Sequence, residues 1–292
     1  MFSVSKLIFK LEKKFYLLYA FLMGSFKLYI KQTITYNLLL VLLRNIRDFL
    51  ETIGDIFYRL CQVLRYLLTF QINFKQLSEQ SSRFAVDSLP ITLSIVSMTA
   101  IILAMQIAPE MVKQGGKDYI GMLVSVTMVR EIGVIMSGFA IISMIGSSQA
   151  SELATMRVTD QIDAMEVLKV SPFKYLFLPR VLAGFIMMPF VVIISSTIGI
   201  LAGGLTAMIA AKDVTWLCYI TSVWQGLFVR DINIMLFKAA CFGGCISLIS
   251  SSCGYDAKGG AKGVGIATTK AVVWSFVAIV VIDCIFAAAF YF

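Results

Sequence analysis

The sequence predicts an all-α integral membrane protein with five transmembrane helices preceded by an amphipathic interfacial helix. Of its 292 residues, 59% are hydrophobic and only 14% are charged, whereas about a quarter of the residues in soluble domains are charged. Several apolar runs also exceed about 18 residues, the length that indicates a membrane-spanning helix. Lipid is therefore the expected solvent for much of the chain. A large soluble protein with buried core helices is the less favoured interpretation.

Residues 1–83 are predicted to form an N-terminal extension that contains the interfacial helix. An apolar stretch from Phe15 is interrupted by Lys27 and Lys31 and shows no clear signal-peptide cleavage site, so its relation to the membrane stays open. Between residues 45 and 70, apolar side chains recur at helical spacing with charged residues among them, as in helices that lie in the interface plane. The apolar positions are Ile46, Phe49, Leu50, Ile53, Phe57, Leu60, Leu64 and Leu67, and the charged ones are Arg47, Asp48, Glu51, Asp55, Arg59 and Arg65.

Residues 84–292 form the second predicted domain, with five segments that are apolar enough to be embedded in the membrane. The third segment is too long for one straight span at about 1.5 Å per residue, and Pro189 inside it could introduce a kink. Its glycines at 199, 203 and 204 predict close helix packing. The segments cover residues 88–109, 119–148, 176–211, 232–253 and 271–292.

The distribution of lysine and arginine predicts the orientation in the membrane. The connections 149–175 and 254–270 are rich in basic residues, whereas basic and acidic residues balance in the other two connections. Because cytoplasmic loops are enriched in lysine and arginine, the first two connections and the N-terminal region are predicted to be cytoplasmic. The same rule accounts for the net charge of +8 without a nucleic-acid partner.

Four ionisable residues interrupt the apolar segments: Arg130, Glu131, Lys238 and Asp283. Each costs about 2.5–3.5 kcal/mol at the centre of an inserted helix, so each is expected to face a partner, a cavity or another subunit. At about 1.5 Å per residue, Arg130, Lys238 and Asp283 lie about 16, 10 and 14 Å from the outer ends of their segments. Two interpretations stay open: ion pairs that fix the helix register, or a polar patch that meets a charged headgroup.

The connection at residues 152–169 reads as a short amphipathic helix with Thr159 as its N-cap and Asp160 in the first turn. Val158, Ile162, Met165 and Leu168 are predicted to share one face. Such a helix is either a plain connector or the contact with a nucleotide-binding subunit. The residues assigned to that contact are Glu152, Arg157, Asp160, Asp163, Met165 and Glu166.

Several kinds of chemistry are excluded by composition. The chain has no histidine, which removes histidine-based acid–base catalysis and histidine metal sites. The six cysteines, including Cys241 and Cys245 one turn apart, are interpreted as packing residues, so no metal and no cofactor are expected. The G-x-x-x-x-G-K-[ST] pattern of a phosphate-binding loop is absent, and the glycine-rich residues 258–265 lack its spacing. Any ATP-driven action therefore requires another chain.

Several motifs follow one another over residues 84–292. They are Leu123–Gly133, Glu152–Glu166, Pro179–Ala183 with Pro189, Gly254–Asp256, Gly260–Gly265, Ala267–Thr269 and Ala271–Val273. With these motifs in this order, the chain resembles the MlaE/YrbE family, the permeases of lipid ABC transporters that work with MCE proteins. The sequence departs from the usual family pattern at Met144, where an arginine is common, and at Val134 and Ala154.

The resemblance implies a non-catalytic permease subunit that forms a homodimer with a phospholipid-binding cavity. It implies that Arg130, Glu131, Lys238 and Asp283 are polar cavity residues, and that residues 152–169 dock on a separate ABC ATPase. An MCE-domain protein is a further implied partner, and the family also admits a small STAS-domain subunit. The expected location is the bacterial inner membrane, or alternatively the plastid inner envelope. Rival functions are a membrane scaffold and an intramembrane lipid-modifying enzyme that uses Glu131 or Asp283 as acid or base.

Overall fold

The computed structural model describes Arg47, Glu51, Thr52 and residues 54–68, 74–211 and 214–290. The chain divides into two compact units, Met1–Asp55 and Ile56–Phe292. In the first unit, Arg47 Nε donates a hydrogen bond to Glu51 Oε1 at 2.6 Å, one helical turn away. The stretch from Phe15 to Lys31 and the first apolar positions of the predicted interfacial helix, Ile46, Phe49, Leu50 and Ile53, lie outside the described residues.

Five helical segments in the second unit are long and apolar enough to cross a membrane, which confirms the predicted fold class. Each helix is longer than the apolar segment predicted for it. The additional turns contain charged residues, so a search for apolar runs does not include them. Span 5, for example, begins at Gly260, so most of the connection predicted at 254–270 is helical. Spans 1 to 5 are Phe74–Lys113, Lys117–Val158, Phe173–Ala210, Val229–Tyr255 and Gly260–Phe290.

In the described part of the second unit, three shorter helices accompany the spans. Helix α1 covers residues 56–68, which form the C-terminal part of the predicted interfacial helix. Helix α2, Gln161–Val167, joins spans 2 and 3. Helix α3, Trp216–Gly226, joins spans 3 and 4 and begins at Thr215, whose hydroxyl accepts a hydrogen bond from the backbone N–H of Cys218 at 3.3 Å.

Small residues let the spans approach closely, as the glycines of span 3 predicted. A Cβ atom on Gly184 would lie 2.4 Å from the carbonyl oxygen of Gly243 in span 4. A Cβ on Gly204 would lie 2.6 Å from the ring of Tyr219 in α3, and one on Gly203 would lie 3.3 Å from the carbonyl of Ala100 in span 1. Span 3 therefore packs against spans 1 and 4 with backbones in near contact, which leaves little space between them.

Span 2 contains two π-helical turns, Met128–Ile132 and Ile142–Gly146. Such turns insert an extra residue into a helix and occur often at functional sites. The first turn carries Arg130 and Glu131, the two adjacent charges of the predicted polar patch. The local widening sets the directions in which these two side chains leave the helix.

The end of span 2 differs from the prediction. Its helix continues to Val158, so Glu152 and Arg157 belong to the span and not to a separate helix at 152–169. The break lies at Thr159, which ends span 2, and at Asp160, whose φ of 57° is left-handed. Asp160 and not Thr159 is therefore the N-cap residue of α2, and its side chain makes no capping hydrogen bond. A backbone turn that only tertiary packing can enforce was not visible in the sequence pattern.

Candidate functional site

Lys238 is the centre of an ion cluster between spans 2, 4 and 5. Its Nζ atom donates hydrogen bonds to Glu131 Oε2 at 2.8 Å and to the carbonyl oxygen of Arg130 at 3.0 Å. It also forms an ion pair with Asp283 Oδ1. The Lys238 side chain is completely buried. Spans 2, 4 and 5 were predicted to carry charged residues at a similar depth, and in the structure these residues contact one another.

Arg130 points to a different partner from its neighbour. Its Nη2 atom lies 3.0 Å from Asp231 Oδ2, and the Asp231 side chain is only 6% exposed. The sequence pattern suggested a connecting-loop residue, because Asp231 stands next to Arg230 between two apolar segments. In the structure it is the third residue of span 4. Arg230 instead donates a hydrogen bond from Nη2 to the carbonyl of Phe290, at the end of span 5, at 2.9 Å.

Two members of the cluster remain accessible at the surface of the chain. The side chain of Arg130 is 37% exposed and that of Glu131 is 33% exposed. Asp283 is 15% exposed, whereas Lys238 is fully covered. The cluster therefore has an inner part, made by Lys238, Asp283 and Asp231, and an outer face that offers one guanidinium and one carboxylate. Each group of the outer face is held by an inner partner, Arg130 by Asp231 and Glu131 by Lys238.

The formal charges of this cluster do not balance. Arg130 and Lys238 supply two positive charges, whereas Glu131, Asp231 and Asp283 supply three negative charges. Charges within a membrane-spanning bundle are costly and mark pathways or ligand sites. The arrangement is suited to bind a polar group that brings positive charge with it.

At the predicted cytoplasmic end, Glu152 ties span 2 to spans 1 and 3. Its Oε2 atom lies 3.0 Å from Arg180 Nη2, and its Oε1 atom lies 3.8 Å from Arg83 Nη1. Arg180 is buried, with only 4% of its side chain exposed, and its Nη1 donates a hydrogen bond to the carbonyl of Leu176 at 2.9 Å. Two cavities of about 180 and 100 Å³ adjoin this ion group, and both are lined by Arg83 and Glu152.

Helix α2 is anchored through Tyr255 at the end of span 4. The Tyr255 hydroxyl donates a hydrogen bond to Glu166 Oε1 at 2.9 Å. Arg157, which forms an ion pair with Asp163, places its guanidinium 5.3 Å from the centre of the Tyr255 ring. Arg157, Asp163 and Glu166, like Glu152, were assigned to ATPase contact and are thus also engaged within the chain itself.

The predicted apolar face of the 152–169 segment splits in the structure. Ile162 is completely buried and Met165 packs with it against the neighbouring spans. Leu168, predicted on the same face, is 74% exposed, and Val167 is 82% exposed. The helix ends at Val167 and Lys169 turns the chain with a φ of 59°, which is why Leu168 leaves that face. Val167 and Leu168 form an exposed apolar tip that sequence periodicity did not identify.

Helix α1 is held to the span bundle by Arg59. This residue was predicted among the charged positions of an interfacial helix, yet it is only 8% exposed. Its Nη2 atom bonds to Asp256 Oδ1 at 2.5 Å and its Nη1 atom bonds to the carbonyl of Ser252 at 2.8 Å. These partners compensate for the burial of the guanidinium. The side chains of α1 that remain exposed include Phe57, Tyr58, Leu64 and Leu68.

The fold and these contacts define a class of protein, a multi-pass helical membrane protein with an ion cluster between its spans. Comparison with known sequences gives the family: a model described as Permease MlaE matches residues 77–289, and the chain belongs to this family. Three relatives carry the name probable ABC transporter permease protein, which supports the same assignment for this chain.

The relatives resemble the chain over most of their length. The one from Synechocystis sp. is 34% identical over 223 residues, which are 76% of this chain and 84% of that protein. The one from Rickettsia prowazekii is 38% identical over 204 residues, covering 70% and 78%. The one from Pyropia yezoensis, called ycf63, is 36% identical over 228 residues, covering 78% and 85%.

Proposed function

We propose that this chain is the permease subunit of an ABC transporter for phospholipids, and that two copies form a lipid-binding cavity. The observation that carries the proposal is the accessible outer face of the ion cluster, Arg130 and Glu131, within otherwise apolar spans. A guanidinium and a carboxylate at this depth suit a lipid headgroup, and the apolar side chains around them suit acyl chains. The chain holds and releases lipid, and it carries out no covalent chemistry.

The homodimer is proposed from the accessible face of the ion cluster. The side chains of Arg130 and Glu131 are 37% and 33% exposed on a single copy of the chain, although charges at this depth are costly in contact with lipid. We propose that a second copy of the chain covers them and closes the lipid-binding cavity, placed so that the two Arg130–Glu131 faces meet.

Energy is proposed to enter through α2 from a separate ABC ATPase. The exposed tip at Val167 and Leu168 supplies apolar contact area, while Asp160, Asp163 and Glu166 supply charge around it. Glu152 lies on the helix that leads directly into this tip and bonds to spans 1 and 3. A displacement of α2 by the ATPase would therefore act on three spans through Glu152, Arg83 and Arg180.

The remaining partners and the location follow from the family. We propose that an MCE-domain protein accepts or delivers the lipid on the outer side, and a small STAS-domain subunit is a further candidate partner of the ATPase. Relatives from Synechocystis and Rickettsia favour a bacterial inner membrane. The relative from Pyropia yezoensis called ycf63 supports the plastid inner envelope as the alternative.

The test is to purify the full-length chain from its own membranes and measure both bound lipid and associated ATP hydrolysis. The expected result is retained phospholipid and an ATPase activity that rises when phospholipid is added. Leu168→Glu should reduce the associated ATPase activity by placing a charge on the exposed tip. Leu217→Glu is the matched control, because Leu217 is 76% exposed in α3 at the opposite end of the spans.

Other outcomes would select a rival function. ATPase association without lipid and without lipid stimulation would indicate a scaffold. Chemical conversion of added lipid by the purified chain, lost in Glu131→Gln or Asp283→Asn, would indicate an intramembrane enzyme. Equal ATPase activity in the Leu168→Glu and Leu217→Glu variants would show that the tip of α2 is not the contact.

A further inference from the structure

We infer that the ion cluster selects phospholipids whose headgroup carries both a phosphate and a protonated amine, in preference to lipids with a purely anionic headgroup. The inference rests on the proposed lipid-binding function and adds the class of substrate. Three properties of the cluster support this inference: the exposure of its charged side chains, the contacts that they already make, and their total formal charge.

Lys238 is excluded as the residue that receives the phosphate. An ammonium group has three N–H donors, and Lys238 Nζ has three contacts, with Glu131 Oε2, the Arg130 carbonyl and Asp283 Oδ1. Its side chain has no exposed surface. Lys238 therefore acts as a positioning residue that holds Glu131 in place, and the ligand does not contact it.

The accessible face of the cluster presents one positive and one negative side chain. Arg130 and Glu131 are adjacent in the π-helical turn Met128–Ile132, and about a third of each side chain is exposed. A guanidinium is the preferred partner of a phosphate because its planar donors match the phosphate oxygens. Lys238 bonds to Oε2 of Glu131, and the second carboxylate oxygen can accept a hydrogen bond from an amine. One protomer thus presents complementary groups for both ends of a zwitterionic headgroup.

The excess negative charge sets the preference. Among the described residues, the ion pairs of the cluster join three carboxylates, Glu131, Asp231 and Asp283, with two cations, Arg130 and Lys238. Arg230, the next cation along the chain, is directed instead to the carbonyl of Phe290. An anionic headgroup would add a second uncompensated charge in a region of low dielectric. A headgroup amine brings the compensating positive charge to Glu131.

The test is a competition between two lipids on the purified full-length protein. Mixed micelles contain equal amounts of phosphatidylethanolamine and phosphatidylglycerol with identical acyl chains, and the lipid retained after gel filtration is quantified by mass spectrometry. We expect phosphatidylethanolamine to exceed phosphatidylglycerol by about tenfold, the effect of one hydrogen bond between charged groups. Glu131→Gln should bring the ratio near one. Thr127→Val, one turn away on span 2 and without a change of charge, should preserve the ratio.

A second measurement uses the wild-type protein alone, so it does not depend on the folding of a variant. Phosphatidylethanolamine is replaced by its N-acetylated form, which keeps the phosphate but loses the positive charge, and retention should fall by about tenfold. Equal or greater retention of phosphatidylglycerol, or no loss on acetylation, overturns the headgroup inference and leaves the proposed function standing. Retention of neither phospholipid overturns the proposed function itself.

Discussion

The ion cluster around Lys238 and the ion pairs at the predicted cytoplasmic end use similar residues in different surroundings. Lys238 is fully buried, and its partners Glu131 and Asp283 are only 33% and 15% exposed. Arg180 is almost as well covered, but its partner Glu152 is 41% exposed. Arg59 resembles Arg180, because its partner Asp256 is 53% exposed. The contrast is clearest between Asp256, which can turn to water, and Asp283, which is largely covered by the bundle.

The difference separates pairs near the water-facing end of the bundle from the cluster that we propose to bind a lipid headgroup. A carboxylate that reaches water is solvated whether or not its partner is present, so its pair contributes little to stability. A carboxylate held inside the bundle depends on its partner, and its loss is costly. The ion pairs differ in composition as well: those described at the predicted cytoplasmic end join four arginines with three carboxylates, whereas those around Lys238 join two cations with three carboxylates.

The largest expected effect concerns the side of the membrane on which each end of the spans lies. In a chain with its cysteines replaced, a cysteine at position 258 should resist an impermeant thiol reagent added from outside, because basic connections are predicted to be cytoplasmic. A cysteine at position 113 should react. Both lysines are exposed in the structure, so access across the membrane and not burial decides the result. Outside labelling at position 258 would invert the assignment of the two regions.

Removal of Lys238 should have the largest effect on stability. Lys238→Met leaves Glu131 and Asp283 without their common partner, and the free energy of unfolding in detergent should fall by about 3–5 kcal/mol. Chemical unfolding, followed by tryptophan fluorescence, measures this change. If the cost arises from unpaired charge, adding Glu131→Gln and Asp283→Asn to Lys238→Met should restore part of the loss. A single variant as stable as the wild type would show that the cluster is not held by these pairs.

The sequence predicted most of the fold because long apolar runs and the distribution of lysine and arginine are strong local signals. Five spans follow from hydropathy alone. The helix ends were predicted less well, since charged residues such as Arg83 and Lys262 extend a helix into water without changing its backbone. The left-handed turn at Asp160 was missed because the sequence offers two adjacent capping residues, and the pattern does not show that the chain turns between Thr159 and α2.

The site was only partly predictable, for a different reason. A charged residue inside an apolar run is easily recognised in a sequence. Arg130, Glu131, Lys238 and Asp283 were identified in this way. Asp231 stands beside Arg230 at the edge of an apolar run, where a charge is ordinary, and its burial depends on a span 101 residues earlier in the chain. Arg59 and Arg180 likewise became significant only through partners brought close by folding.

Removal of Arg180 should cost less than removal of Lys238. Arg180→Met leaves the carbonyl of Leu176 without this donor, and Glu152 can turn toward water and toward Arg83. The expected loss is about 1–3 kcal/mol, the cost of leaving a buried hydrogen-bonding group unsatisfied. The same unfolding measurement applies. A loss equal to that of Lys238→Met would contradict the view that exposure of the partner decides the cost.

The smallest effect is expected for Tyr255→Phe, which removes one hydroxyl at the predicted cytoplasmic end. Its hydrogen bond goes to Glu166, which is exposed, so stability should fall by only about 0.5–1 kcal/mol. The ring remains in its contacts with Phe173 and Phe177, whose centres are each 5.8 Å away. A spin label at position 167 should nevertheless become more mobile, because α2 loses an anchor to span 4. Tyr66→Phe is the matched control, since the Tyr66 hydroxyl accepts its bond from Ser171, outside α2. Equal label mobility in both variants would show that the Tyr255 hydroxyl does not restrain α2, and that the packing of Ile162 and Met165 and the Arg157–Asp163 ion pair hold it.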